Sequence, residues 1–468
     1  KNISDLKIII TFFFNLIVFG LTVINKKYMK KKILLILIIP ILSFSQIISY
    51  DLISSWDILD VQEVYNLNFI PSYAGEINYN VEGYKVNYYT QDANGNPIIA
   101  SGAIFLPINS CSAPILSWQH GTIVADSGAP SQNINNNTIG IIAASHGYIV
   151  LMSDYLGLGE GEGFHNYCHA ETEALAVKDL IISSLDFFEA QNITTNNQLF
   201  LMGYSQGGHA TMASVKKIEE NEVLNITASC PMAGPYSMSD AQAEMLNVVY
   251  PNPGYFPYVI FAYQNVYGNI YSELSDIFKP GFENLIDFYD GNFSMTEINQ
   301  EIWSIAENQY NISIEDFKPI DMIQDEYYLE YLNNENHPFT LALTDNDLIN
   351  FIPQSPMQLI HCNGDDNVPY ENAIMAFEAF FPFANKELIL LDGGNFNHSE
   401  CAQFSIISAK LFFDDLANFC NESYLDESLK NKSIVKTINI LGQTMKTNKH
   451  SINIILYSDG SIEKIIKF

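Results

Sequence analysis

The stretch that most constrains this 468-residue chain is Gln198-Leu-Phe-Leu-Met-Gly-Tyr-Ser-Gln-Gly-Gly-His-Ala210. Leu199 to Met202 is a short apolar run of the kind that forms a buried strand, and the residues after Ser205 begin a helix with small residues on its inner face. Between them Gly203-Tyr-Ser-Gln-Gly207 predicts a sharp strand-to-helix turn with Ser205 at its tip, the geometry of a nucleophile elbow. A serine held there has strained backbone angles, and side chains at 203 or 207 would collide with their neighbours. Gly208 and Ala210 let the helix lie close to the sheet. The helix N-terminus directs free N–H groups and its positive dipole end at whatever Ser205 approaches. In this setting Ser205 reads as a nucleophile rather than as a turn residue.

Strands and helices alternate around that point. Tyr84–Thr90 and Ile98–Leu106 flank Asn94-Gly95, which predicts an antiparallel hairpin at the sheet edge. Short apolar runs at 114–119, 148–153, 224–228, 357–362 and 387–391 predict buried parallel strands, and helical spacing marks 170–190, 371–380 and 399–419. Residues 50–80 carry no clear pattern. The whole reads as an α/β chain with a mostly parallel, doubly wound sheet. From about 236 to 350 the alternation stops and aromatic-rich helical segments such as Tyr255–Tyr263 and Phe278–Phe288 take over. So long an insertion predicts a helical cap over the serine, its Tyr and Phe lining an apolar tunnel.

A serine hydroxyl needs a base, and the base needs an orienting carboxylate. Of nine histidines, only His337, His361, His398 and His450 follow the elbow helix. His450 falls in the tail and His337 in the cap, while His361 ends a strand with its neighbours rather than itself facing the loop. His398 lies in Asp392-Gly-Gly-Asn-Phe-Asn-His-Ser399, a loop from which an imidazole can reach Ser205. The carboxylate is expected after the preceding strand, at Asp365 or Asp366, with the spacing to Val368-Pro369 favouring Asp365. Two N–H groups should hold the oxyanion: that of Gln206 and, from Trp118-Gln-His-Gly-Thr122, that of Thr122. Gly121 must stay small there, and His120 organises the loop. His165, His169 and Glu171 have loose metal-like spacing with no confirming cluster, so no metal or other cofactor is expected.

All 22 basic residues are lysine, against 53 acids. They crowd at the ends, so that residues 46–429 hold 8 lysines against 50 acids, a formal charge of −42. Such a surface repels nucleic acid and anionic membranes. Met29-Lys-Lys-Lys32, the apolar run to Leu42 and Ser43-Phe-Ser45 form the three parts of a signal peptide at 29–45. Residues 1–28 read as an over-extended start, or, through Ile8–Ile24, as an anchor. Export makes the six cysteines disulfide candidates, and Cys362 with Cys401 is favoured because each lies close to a proposed catalytic group.

Taken in order, His120-Gly-Thr122, Asp154-Tyr-x-Gly-x-Gly159, Gly203-Tyr-Ser-Gln-Gly-Gly208, Ala233-Gly-Pro-Tyr236, Asp365-x-x-Val-Pro369 and Asn397-His398 resemble the α/β-hydrolase superfamily. Within it they resemble the secretory lipases of the lipase A type and their bacterial esterase relatives, over roughly 80–420. The resemblance implies a hydrolase domain at 46–425 that cleaves small-molecule or lipid esters as a monomer, through an acyl-enzyme and without a metal. Ile434–Gln443 and Ile454–Lys467 resemble the C-terminal sorting domains of Por-type (type IX) secretion, implying a tail at 430–468 that meets secretion machinery on the way to the cell surface or medium. A serine peptidase of the prolyl oligopeptidase kind and a non-catalytic binding protein of the same fold stand as alternatives.

Overall fold

The elbow sits near the middle of a nine-stranded sheet in a computed structural model that describes residues 46–109, 111–222, 224–384 and 386–419, with three strands of the tail. The strands are β1 (Ile47–Trp56), β2 (Val81–Gln91), β3 (Pro97–Pro107), β4 (Ala113–Gln119), β5 (Ile149–Ser153), β6 (Thr195–Tyr204), β7 (Ala228–Met232), β8 (Met357–His361) and β9 (Leu388–Asp392). Their spatial order is β1-β2-β3-β5-β4-β6-β7-β8-β9. β1, β2 and β3 run antiparallel, and from β5 to β9 every neighbouring pair is parallel. The signal segment, the Ile8–Ile24 run and the tail turns at Gly442 and Asp459-Gly460 lie outside the described residues.

Alternation along the strands builds two cores. Phe105, Leu116, Trp118, Val150, Met152, Phe200 and Met202 face one side. There they meet helices α1 (Ile58–Leu67), α2 (Thr138–Ser145) and, beyond the last strand, the helix His398–Asp414. Ile104, Ile115, Leu151, Leu199 and Leu201 face the other side, covered by α3 (Ala170–Gln191) and α4 (Gln206–Asn221). Near-continuous apolar runs are what a strand buried on both faces requires.

Three expectations need correction. The hairpin β2–β3 is not the edge, because β1 pairs antiparallel with β2 outside it. Residues 50–80 therefore hold structure, including α1, which Asp57 and Asp60 begin with reciprocal side-chain caps. The strand expected at 224–228 lies instead at 228–232, Ala-Ser-Cys-Pro-Met. A central strand tolerates Pro231 because Ser229 and Ala233 donate to the Pro356 and Ile360 carbonyls on either side of it, leaving one missing N–H between them. Leu224 and Ile226 pack against the core from the preceding connection.

Between β7 and β8 come only helices: α5 (Tyr255–Tyr267), α6 (Leu274–Ile277), α7 (Met295–Tyr310), α8 (Asp325–Asn333) and α9 (Pro338–Asp345), with short 3-10 turns. Their aromatics make a core of their own from Phe261, Tyr263, Phe278, Phe282, Tyr289 and Phe317. Most of the Tyr and Phe therefore hold this insertion together rather than line a tunnel. Its two ends are clasped, since Asp347 accepts from the Ser239 hydroxyl at 2.5 Å and the Ser239 N–H at 3.0 Å. Beyond the insertion, α10 (Glu371–Phe380) follows β8 and α11 (His398–Asp414) follows β9. A separate three-stranded antiparallel sheet is formed by β10 (Ile434–Ile438), β11 (Ser451–Tyr457) and β12 (Ile462–Lys467). Among the described residues no helix is long and apolar enough to cross a membrane.

Helix α2 approaches β3 so closely that a Cβ on Gly140 would overlap the buried ring of Phe105. Gly140→Val should therefore destabilise the chain by at least about 1–3 kcal/mol, the usual cost of overpacking. Thermal unfolding will read this as a lowered Tm.

Candidate active site

Ser205 joins β6 to α4 with φ +63° and ψ −123°, a backbone conformation that side-chain-bearing residues avoid and that costs about 1–3 kcal/mol. Close packing holds it there. A Cβ on Gly203 would stand 2.6 Å from the Gln119 carbonyl oxygen, and one on Gly207 would overlap that same oxygen. Only glycine at both sites lets the elbow meet the end of β4. The Ser205 N–H donates to the Met232 carbonyl at 3.0 Å, tying the turn to β7 as well.

The loop after β4 runs beside this turn. A Cβ on Gly121 would be 3.3 Å from the Tyr204 carbonyl oxygen and 3.7 Å from Ser205 Cβ, so the Gly121–Thr122 segment borders the serine. Among the described residues neither the Gln206 nor the Thr122 backbone N–H has a hydrogen-bond partner, which leaves both donors free. The Thr122 hydroxyl pairs with the Tyr167 hydroxyl at 2.9 Å. His120 turns away from chemistry: its Nδ1–H donates to the Gly121 carbonyl at 2.7 Å, and burial pushes the imidazole down to about 4. The Asp154 loop braces the segment, because the Tyr155 hydroxyl donates to the His120 carbonyl at 3.0 Å. Asp154 itself accepts from the Ser101 hydroxyl at 2.6 Å and the Ser131 N–H at 2.9 Å.

His398 lies at the first position of α11, capped by Asn397 and Glu400. Its Nδ1–H donates to Asp365 Oδ2 at 2.7 Å, and its backbone N–H donates to Asp366 Oδ1 at 3.1 Å. Of the two aspartates left open by the sequence, Asp365 thus contacts the imidazole and Asp366 the main chain. Tyr204 links this loop to the elbow, its hydroxyl donating to the His398 carbonyl at 2.6 Å with the two rings 5.0 Å apart. Ser205 and His398 are not hydrogen-bonded to each other in this conformation; such contacts often tighten only with substrate bound.

His361 differs from expectation. Its ring points into the loop, where Nε2–H donates to the Val368 carbonyl at 2.9 Å and lies 3.2 Å from Asp365 Oδ2. Asp365 therefore serves two imidazoles with its side chain wholly buried. Burial acts to raise its pKa, but the hydrogen bonds and charges of His361 and His398 outweigh this and hold the carboxyl well below its usual range. The signal for this partner was the four-residue spacing from His361 to Asp365 across one tight turn. A disulfide between Cys362 and Cys401, with Cα atoms 6.0 Å apart, staples the Asp365 loop to α11. Cys111 is also disulfide-bonded, and Cys168 and Cys230 are free and buried.

A cavity with about 700 Å³ of empty space, partly open to solvent, reaches Ser205 and Gln206. The helical insertion supplies much of its wall through Met238, Leu246, Tyr255, Phe256, Val259 and Phe339. His165 and His169 do not converge on Glu171: His165 is bonded to the Leu156 carbonyl and Gln206, and His169 to Thr172.

The mostly parallel sheet, with a strained serine between its sixth strand and the following helix, is the α/β-hydrolase fold, and the chain belongs to that superfamily. The model of the prolyl oligopeptidase family matches residues 137–223, from α2 through the elbow helix. No curated protein sequence matches the chain. Among solved structures, the rice cell wall degrading esterase LipA from Xanthomonas oryzae is similar at 27% identity and a TM-score of 0.68, covering 80% of this chain and 98% of that one. A Legionella pneumophila protein whose description as a hydrolase is provisional aligns at 25% identity and a TM-score of 0.71, covering 79% and 98%. Candida antarctica lipase A in its closed state shares the fold at 17% identity and a TM-score of 0.61, covering 80% and 82%. The chain is accordingly a hydrolase of the α/β fold.

Two outcomes follow from this geometry. A depressed folded pKa gives stability that is present above the unfolded value near 4 and lost as pH falls through the lower folded value. Asp365→Asn should therefore cost most stability around neutral pH and progressively less below about pH 4, as urea unfolding at several pH values will show. Replacing Cys362 and Cys401 by alanine opens a 39-residue loop and should cost about 4 kcal/mol by the chain-entropy estimate. Turnover measured per folded molecule should fall with it, because the loops that bring Asp365 and His398 together lose their staple.

Proposed function

We propose that the chain is a serine carboxylic-ester hydrolase of the esterase or lipase kind. The observation that carries this reading is the Asp365–His398 contact at 2.7 Å, on loops linked by Tyr204 to the strained Ser205. In this reading Ser205 Oγ attacks the ester carbonyl and its proton passes to His398 Nε2. The N–H groups of Gln206 and Thr122 hold the oxyanion. Collapse expels the alcohol, which takes the proton from His398, and leaves an acyl-enzyme. Water then repeats the sequence, releases the acid and restores Ser205. Asp365 keeps the imidazole in the tautomer whose Nε2 is free to accept, and no step calls for a metal or cofactor.

The cavity walls favour an uncharged ester with an apolar acyl part, and the esterase named above supports the ester class. The insertion at about 236–350 serves as the cap that builds those walls. The signal segment at 29–45 and the β-tail, whose strands begin at Ile434, support export and delivery to secretion machinery, with the mature chain acting as a monomer. The match to prolyl oligopeptidases favours peptide bonds as a second reading, but it spans only the strand–elbow–helix unit. Residues 46–80 hold β1, which pairs with β2 in the same sheet, and α1.

Purified protein should hydrolyse p-nitrophenyl esters, with kcat/KM rising as methylenes are added to the acyl chain, each worth up to about 0.8 kcal/mol, until the chain outgrows the cavity. Ser205→Ala should cut kcat on the order of 10⁶-fold. Ester turnover that survives Ser205→Ala would overturn the proposal. Faster cleavage of peptide anilides than of esters would favour the peptidase instead.

A further inference from the structure

A carboxylate that no step above uses lies directly behind the elbow. Glu173, in the first turn of α3, is 1% exposed. Burying an ionised group so completely is costly unless hydrogen bonds replace its water. Three donors do so here. Glu173 Oε1 accepts from Gln206 Nε2 at 2.8 Å and from the Cys168 N–H at 3.2 Å. Its Oε2 accepts from His209 Nδ1–H at 2.7 Å.

The placement of the donors gives the arrangement its meaning. Gln206 and His209 both belong to the first turn of α4, and Gln206 directly follows Ser205. One carboxylate therefore grips the elbow helix at two points three residues apart, at the positive end of its dipole. Gln206 is held a second time, by His165. The His165 Nδ1–H donates to the Leu156 carbonyl at 2.9 Å, and burial pushes the imidazole down to about 3, so its Nε2 stays an acceptor for Gln206 Nε2 at 2.8 Å. The Gln206 amide oxygen is buried without a partner, so every bond of that amide runs through its nitrogen.

We infer that Glu173 is a positioning residue for the oxyanion site, fixing Gln206, and with it the backbone N–H that faces the reacting carbonyl, through the Glu173–Gln206 and Glu173–His209 hydrogen bonds. This rests on the ester-hydrolase reading and deepens it. Ser205 at φ +63° gains free energy by relaxing, and relaxation swings the Ser205–Gln206 peptide that carries the donor. Anchoring the Gln206 side chain to two buried groups opposes that swing without touching substrate. The benefit appears where negative charge develops, hence in the transition state rather than in substrate binding. Cys168, Glu173 and His209 also stand close enough to one another for a metal ion. The hydrogen bonds already occupy both Glu173 oxygens and the His209 Nδ1, so the cluster is read as a clamp.

Glu173→Gln keeps the shape but turns one acceptor into a donor facing other donors. With p-nitrophenyl butyrate, and with active sites counted by titration with a fluorophosphonate, kcat should fall about ten- to a hundredfold while KM changes less than twofold. Gln206→Met, which removes the anchored amide but keeps the backbone N–H, should give a similar loss and serves if Glu173→Gln does not fold. The double variant should be no slower than the worse single, because one clamp is removed either way. Variants that lose Tm but keep wild-type kcat per titrated site would overturn the inference, as would a rise in KM at constant kcat. Loss of wild-type activity on EDTA treatment would overturn it in favour of a metal site. Ester turnover that survives Ser205→Ala would instead strike the parent reading, so the two failures are distinguishable.

Discussion

The approach of the elbow to the end of β4 is the constraint on which the rest of this structure depends. The Gln119 carbonyl sits where side chains at 203 and 207 would otherwise be. That closeness holds Ser205 at positive φ and brings the Gly121–Thr122 segment alongside it. Strain of this kind persists only where the surroundings over-determine it. Here β7 binds the Ser205 N–H, Tyr204 is bonded to the His398 carbonyl, and Glu173 with His165 anchors Gln206. Each anchor comes from a different part of the chain, so local relaxation must break contacts on several sides at once.

A similar economy governs the Asp365–His398 pair. The Asp365 side chain is wholly buried, and an isolated carboxylate there would favour the neutral form. Two imidazoles reverse that preference, and only one of them, His398, belongs to the proposed reaction. His361 fixes the carboxylate from the strand side and bridges to the Val368 carbonyl, which holds the tight turn. The turn also uses the carboxylate itself, since Asp365 Oδ1 accepts from the Asn367 and Val368 N–H groups at 2.9 and 2.8 Å. Asp365 is thus a structural keystone of its loop, and the Cys362–Cys401 bond ties that loop to the helix bearing His398.

What the sequence made legible divides along physical lines. Buried parallel strands are continuous apolar runs, and β4, β5, β8 and β9 fell within a residue or so of where that pattern predicts them, whereas β6 extends the Leu199–Met202 run to Thr195–Tyr204 through polar residues that the pattern does not report. The elbow was legible because its glycines answer a backbone requirement that few other turns share. β1 carries a short alternation, Ile48-Ser-Tyr-Asp-Leu52, but it was missed because these apolar residues stay exposed on an edge strand and no buried run accompanies them. β7 was displaced because Pro231 argues against a strand, while Leu-Asn-Ile before it mimics one. The contacts of Glu173 and His361 depend on which side chains meet across elements, and no local pattern reports that. His209 in particular looks like an ordinary helical residue until α3 is folded against α4.

The helical insertion shows the same limit from the other side. Its density of Tyr and Phe announces a core, but composition does not say which ring faces which neighbour. Phe261, Phe278, Phe282 and Phe317 pack inward within the insertion. Tyr255, Phe256 and Phe339 also reach the cavity above Ser205. A few rings therefore serve both the insertion's core and the cavity wall, so altering that wall at Phe256 or Phe339 also disturbs the packing of the insertion. The Ser239–Asp347 clasp holds the two ends of the insertion together. The sheet and elbow set the place of Ser205 through backbone geometry, and the insertion shapes the cavity beside it through side chains such as Tyr255, Phe256 and Phe339. That division explains why the elbow is readable from glycines and turns, whereas the shape of the cavity is written in the packing of α5 and α9.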